Sequence, residues 1–200
     1  TSLEQDGVRV LVGHKALRCE KSGDRKIIVV EHQGQELEIE FDTLLCAVGR
    51  VARLQGFGLE ELGIPTQRTV VTDEYLQTVF PNILAAGDVA GPYQFTHMAS
   101  HQAWYAAVNA LFGWARKFRV NYRIVPWTTY TDPEVAHVGT TAEAATRTGV
   151  RHGVIEVPLE DNDRAVLDGE PAGFVKVVHD PKGRVLGATV VASHAGEMIG

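Results

Sequence analysis

Val79-Phe80-Pro81-Asn82-Ile83-Leu84-Ala85-Ala86-Gly87-Asp88 decides how this chain is read. Pro81-Asn82 turns the chain into a very short apolar strand of small residues, which ends in Gly-Asp. In doubly wound sheets, ligands lie outside the carboxy ends of parallel strands. A carboxylate there can accept hydrogen bonds from a polyol or a ribose, and the bare Ala-Ala-Gly before it permits close approach. Asp88 equally suits the plainer role of capping a turn. Gly91-Pro92 then breaks the chain before a helix expected from about Thr96 to Phe112. Ala99, Ala103, Ala106, Ala107 and Ala110 recur at helical spacing and give it a thin face, able to lie close to a sheet or a flat ligand.

The start of that helix, Thr96-His97-Met98-Ala99, is the second candidate. A helix amino terminus presents unpaired N–H groups and about half a positive charge. This suits a group gaining negative charge, such as the N1–C2=O edge of a flavin on reduction. An ordinary capped helix is the alternative. His97 and His101 stand four apart on one helical face, but Met98 occupies the place of the Glu in the zinc-protease pattern. With no further Cys, Asp or Glu at ligand spacing, no metal site is assigned. His137, His152, His179 and His194 are scattered over strands and loops and read as surface or satisfied-core residues. Gly56-Phe57-Gly58 lacks the third glycine of a dinucleotide fingerprint, with Glu61 in its place, and reads as a loop.

Upstream, Thr1 to Gly7 reads as the last turn of a helix capped by Gly7, so the chain looks cut at its start. Strands are expected at Val8 to Val12, Lys15 to Cys19, Lys26 to Glu31 and Glu36 to Phe41, with turns at Ser22-Gly23-Asp24 and Gln33-Gly34-Gln35. Glu36 to Phe41 alternates, as a half-buried antiparallel strand does. Thr43-Leu44-Leu45-Cys46-Ala47-Val48 does not alternate, and before Gly49-Arg50 it reads as a strand buried on both faces of a parallel sheet. Cys19 and Cys46 sit in apolar contexts and read as small core residues rather than a redox pair.

Downstream, strands are expected at Pro126 to Thr131, Gly153 to Val157, Phe174 to His179 and Arg184 to Val191, the last two joined by the turn Asp180-Pro181-Lys182-Gly183. Asp132-Pro133 reads as a turn, and Thr140-Thr141-Ala142-Glu143 as a capping box for a short helix ending at Gly149. A last helix opens at Ser193 to Ile199 and looks truncated. Strands folded against two short helices make a small α+β domain.

The composition is that of a globular protein, 44% hydrophobic and 22% charged, and its 20 glycines favour a turn-rich fold with strands. A formal net charge of −6 argues against nucleic acid or an anionic membrane as a partner. No apolar stretch approaches the roughly 18 residues of a membrane span, and no signal-peptide pattern opens the chain. The cytoplasm is the expected location.

Four segments together resemble the class I pyridine nucleotide–disulfide oxidoreductases, the relatives of dihydrolipoamide dehydrogenase, glutathione reductase and mercuric reductase. Asp42 to Arg50 resembles the segment closing the nicotinamide domain, and Thr78 to Val89 the second flavin motif. Gln94 to Ala99 resembles the segment that lays amides against the isoalloxazine ring, and Asp132 to Gly139 the opening of the dimerisation domain. Ala52-Arg53 departs from the family's usual Pro-Asn pair after Gly-Arg.

The resemblance implies an α/β plus α+β fold, part of a doubly wound nucleotide-binding domain followed by an α+β dimerisation domain. Residues 1–52 would be the second half of the NAD(P)-binding domain, 53–123 a returning segment of the FAD-binding domain, and 124–200 the dimerisation domain. It further implies that Gly87 and Asp88 hold the ribityl or ribose portion of FAD. Thr96, His97, Met98 and Ala99 would contact the flavin O2 edge, and Gly49 would lie near the nicotinamide. The parent would be a homodimeric enzyme passing electrons from NAD(P)H through FAD to a disulfide or metal-ion substrate. No catalytic residue is assigned within this chain, which is expected to be inactive alone and not to retain FAD. A non-catalytic interaction or dimerisation module is the competing reading, and a small His97–His101 metal protein a weaker third.

Overall fold

The computed structural model describes residues 2–200. They form two compact units, one ending at Gly49 and one spanning Arg50–Gly200.

In the first unit, helix α1 (Ser2–Gln5) ends as expected on Gly7. Val8 N–H donates to Leu3 O at 2.9 Å and Gly7 N–H to Glu4 O at 3.1 Å, with φ of Gly7 at +83°. This is the paired closure that a left-handed glycine permits. The expected strand Val8 to Val12 is irregular, because among the described residues no strand pairs with it. Strands β1 (Lys15–Ser22), β2 (Arg25–His32) and β3 (Gln35–Glu40) form the expected antiparallel meander with β2 central. The central strand carries the buried Ile27, Val29 and Val30. On β3 the alternating pattern covers little, since Ile39 alone is partly buried.

The run Thr43 to Val48 corrects the sequence reading. It is irregular rather than a buried strand, with Leu45 89% and Val48 88% exposed. A parallel strand owes its burial to neighbours on both edges and faces. Among the described residues every strand pair is antiparallel, and none includes this run. Cys19 and Cys46 are likewise exposed free thiols, not core residues.

In the second unit, residues 51 to 70 form the expected connection, with Gly56 to Gly58 in a loop. Ile83 to Ala86 is not a strand. Among the described residues one antiparallel bridge, Gln77 to Leu84, is all the pairing it makes, and the chain passes directly into a 3-10 turn, Gly87–Val89. Helix α2 spans Thr96–Phe112, the limits expected from sequence.

Five antiparallel strands follow: β4 (Trp127–Thr129), β5 (Glu134–Gly139), β6 (Gly153–Pro158), β7 (Phe174–His179) and β8 (Val185–Ala192), in the order β4-β5-β8-β7-β6. Strand β5 and the short helix α4 (Asp163–Leu167) were not legible in the sequence. Between them on the chain lies helix α3 (Ala142–Arg147), whose start corrects the capping-box reading by one residue. Thr141, not Thr140, is the N-cap and accepts from Ala144 N–H at 3.1 Å, which leaves Glu143 out of the reciprocal position. Helix α5 (Ala195–Met198) packs Ala195 against Ala136, Val190 and Ala192, and Leu159, Val175 and Ile199 close this core.

The β7–β8 turn is held by Asp180. Its carboxylate accepts from the N–H groups of Arg184 and Lys182 and from the Arg184 guanidinium at 2.7 Å. The Arg184 backbone N–H first, and then its guanidinium, hold this carboxyl below the usual aspartate range.

Candidate functional site

The site starts from Gly87. Its φ of +81° is open to glycine alone without strain, and a Cβ there would stand 3.3 Å from the Ala99 Cβ of α2. The Gly-Asp turn therefore lies directly on the first turn of the helix. Within the turn, Ala90 N–H and Gly91 N–H both donate to Gly87 O, at 2.9 and 3.2 Å.

Asp88 projects from this turn with a half-buried side chain. Arg50 Nε donates to its Oδ2 at 2.6 Å, and among the described residues no hydrogen bond reaches Oδ1. One carboxylate oxygen is thus fixed and the other is open to a hydroxyl donor. Beside it, Arg50, Arg68, Thr69, Gly91, Pro92 and Gln94 line a cavity of about 350 Å³.

The helix start is bare. Its N-cap is Phe95, which has no side-chain acceptor, and the first intrahelical bond is Ala99 N–H to Phe95 O at 3.0 Å. The N–H groups of Thr96, His97 and Met98 precede it. Thr96 and His97 are exposed, whereas Met98 is buried and roots the helix start in the core. The structure thus brings Gly87, Asp88 and Thr96 to Ala99 together through the Gly87–Ala99 contact. Gly49 belongs to the other unit, where its φ is +136° and a Cβ would meet nothing within 4 Å.

The thin alanine face is only partly used. Ala99 makes the close approach, while Ala103, Ala107 and Ala110 are exposed. The face of α2 that packs carries Met98, Gln102 and Asn109. Two buried amides there were missed by sequence reasoning, because polar residues on an alanine-rich helix read as solvent-facing. Gln102 Oε1 accepts from Gly87 N–H at 2.6 Å, and its Nε2 donates to Gly91 O at 2.5 Å and to the Tyr122 hydroxyl at 2.8 Å. Asn109 Nδ2 donates to Tyr75 O and Phe118 O, and its Oδ1 accepts from Phe118 N–H. Burial pushes the Tyr122 phenol above its ordinary range, and the bond from Gln102 opposes that.

The histidines divide by location. His101 Nε2 bonds Asn121 O at 2.9 Å and packs edge-on against Tyr105, while His97 stacks on Phe95. His137 is buried with both ring nitrogens engaged, by Thr189 Oγ1 at 2.8 Å and Gly139 O at 3.0 Å, a satisfied-core residue as expected.

Residues 1–103 match the family described as pyridine nucleotide-disulphide oxidoreductase, and residues 125–200 match the dimerisation domain of the same family. The chain belongs to the pyridine nucleotide-disulphide oxidoreductase family. Mercuric reductase of Bacillus cereus is 36% identical over 99% of this chain and 32% of its own length. Dihydrolipoyl dehydrogenase of Mycobacterium leprae is 33% identical over 96% of this chain and 42% of its own. Among solved structures, LpdA of Mycobacterium tuberculosis superimposes with a TM-score of 0.86 at 29% identity, over 99% of this chain and 43% of that one. The HOCl-induced flavoprotein disulfide reductase RclA of Escherichia coli gives 0.84 at 28% identity, over 99% and 45%. The chain therefore spans roughly a third to two fifths of the curated family members cited. Among the described residues, no helix is long and apolar enough to cross a membrane.

Proposed function

We propose that the Gly87–Asp88 turn and the Thr96–Ala99 helix start are the part of a flavin site that holds the ribityl chain and the O2 edge of FAD. The observation that carries this reading is the half-buried Asp88 carboxylate, with Oδ2 fixed by Arg50 and Oδ1 open, on a turn seated against a helix start without a side-chain cap. The residues fit such a ligand. Asp88 Oδ1 would accept from a ribityl hydroxyl, and Gly87, with no Cβ to meet Ala99, lets the turn that carries Asp88 sit against the helix start. The N–H groups of Thr96, His97 and Met98 would donate to the carbonyl edge of the ring, with Ala99 fixing the helix against the turn. Donors preorganised there stabilise negative charge growing at that edge without reorienting.

Bound flavin supplies two-electron transfer between a nicotinamide and an acceptor. The function proposed for the whole enzyme is electron transfer from NAD(P)H through FAD to a disulfide or metal-ion substrate. The residues assigned here bind, orient and stabilise charge, and none of them exchanges electrons or protons. Gly49, with a backbone conformation reserved for glycine, is assigned to close approach by the nicotinamide. Residues 1–52 are assigned to the NAD(P)-binding domain, 53–123 to the FAD-binding domain and 124–200 to a homodimer interface.

FMN carries the ring and the ribityl chain without the adenine half, so it probes these residues directly. Asp88→Asn is expected to weaken FMN binding to the chain about tenfold, the value of a hydrogen bond to a charged acceptor. Unchanged affinity would defeat the assignment. Homodimer formation through 124–200 predicts a mass that rises toward twice that of the chain with concentration in light scattering. A constant monomer mass contradicts it.

A further inference from the structure

We propose that Gln102 is the positioning residue for the Asp88 carboxylate: its single side-chain amide grips both ends of the Gly87–Gly91 turn and so sets where that carboxylate points. The proposal rests on the flavin reading above and deepens it.

The geometry is specific. Gln102 is 0% exposed, and three of its four hydrogen-bonding capacities are used. Oε1 takes the N–H of Gly87, the residue immediately before Asp88. Nε2 gives one proton to Gly91 O at the far end of the turn and the other to Tyr122 OH. The partners fix the amide's orientation, because a flip would set its NH₂ against the Gly87 N–H and its carbonyl against Gly91 O. An amide plane is rigid, so the two ends of the five-residue turn are held at a set separation. With Gly87 O also engaged by Ala90 and Gly91, the backbone that carries Asp88 is held in place, and the Arg50 bond to Oδ2 then orients the carboxylate on it. Tyr122 holds the amide from outside, on the segment that leads into β4 at Trp127.

Asn109 supplies the control. It lies two helical turns farther along the same face, is also buried, and clamps Tyr75 and Phe118 in the same manner, away from Asp88. A merely structural role for Gln102 would make the two amides equivalent in their effect on ligand binding.

The test uses the 200-residue chain, with amide hydrogen exchange at Gly87, FMN affinity by NMR titration, and the thermal midpoint. Gln102→Met keeps the length and removes all three bonds. Gln102→Glu keeps an acceptor for Gly87 N–H but cannot donate to Gly91 O or Tyr122. Tyr122→Phe removes only the outer bond. Gln102→Met is expected to speed Gly87 exchange and weaken FMN binding, each about ten- to a hundredfold. Gln102→Glu should weaken FMN binding while retaining more Gly87 protection. Tyr122→Phe should change affinity about twofold or less, and Asn109→Ala should lower the midpoint with FMN affinity unchanged. Equal affinity losses in Gln102→Met and Asn109→Ala, or wild-type Gly87 exchange in Gln102→Met, overturn the positioning role alone. No FMN response from the wild-type chain overturns the flavin reading and this role with it. If Gln102→Met does not fold, the Gln102→Glu and Tyr122→Phe pair decides, since equal FMN affinity in both contradicts the proposal.

Discussion

Two apolar runs of this chain end in opposite states. Thr43 to Val48 lies irregular with Leu45 and Val48 open to solvent, whereas Val185–Ala192 forms β8 at the centre of five strands. Their hydrophobicity is similar, and their neighbours are not. β8 follows β7 through a five-residue connection and is flanked on its other edge by β5, so both rows of its backbone groups are paired. The run at 43–48 pairs with nothing among the described residues. An apolar stretch becomes a strand through its partners, because unpaired backbone polar groups cannot be buried at acceptable free energy.

The largest effect should come from Gly187→Val on β8. A Cβ there would run into the backbone N and O of Thr140, whose N–H donates to Leu186 O at 2.9 Å. We expect a loss of about 3 kcal/mol or more in urea unfolding of the 50–200 unit, since overpacking meets backbone that cannot yield. A loss below about 1 kcal/mol would show that the sheet's tight packing matters less than its pairing.

A smaller, pH-dependent effect belongs to Asp180. Its carboxyl is held below its ordinary value, so its contribution is fully present above the unfolded aspartate pKa of about 3.9 and is lost as pH falls through the folded value. Asp180→Asn should therefore lower stability at neutral pH and flatten its decline on the acid side. An unchanged acid limb would separate the turn from the stability of the sheet.

The smallest effect is expected at Leu45. Replacing it with Ser removes a large apolar side chain that touches solvent, so stability should change by no more than about 0.5 kcal/mol. A loss near that of a core leucine would mean that the run is covered in solution, and the contrast with β8 would fail.

Legibility from sequence followed the same rule of partners. The β1–β3 meander, the β7–β8 hairpin and α2 depend on turns, alternation and spacing within a few residues, and each was legible. Strand β5 escaped because Glu134 and His137 interrupt its apolar pattern. In the fold, Glu134 Oε2 accepts from Gly196 N–H at 2.9 Å, and His137 is bonded by Thr189 far along the chain and by Gly139 O two residues on, so neither polar group is left unpaired. Asp88 and the helix start could be put forward as candidates from local chemistry. Gln102 was not, because its role depends on Gly87 and Gly91, which only the folded turn brings to it.

The most direct test of the flavin assignment is a titration of the isotopically labelled chain with FMN, read amide by amide. Gly87, Asp88 and Thr96 to Ala99 are expected to shift together with one affinity, while the five-stranded sheet stays silent. Shifts confined to that sheet, or no saturable shift at residues 87–88 and 96–99, would contradict it.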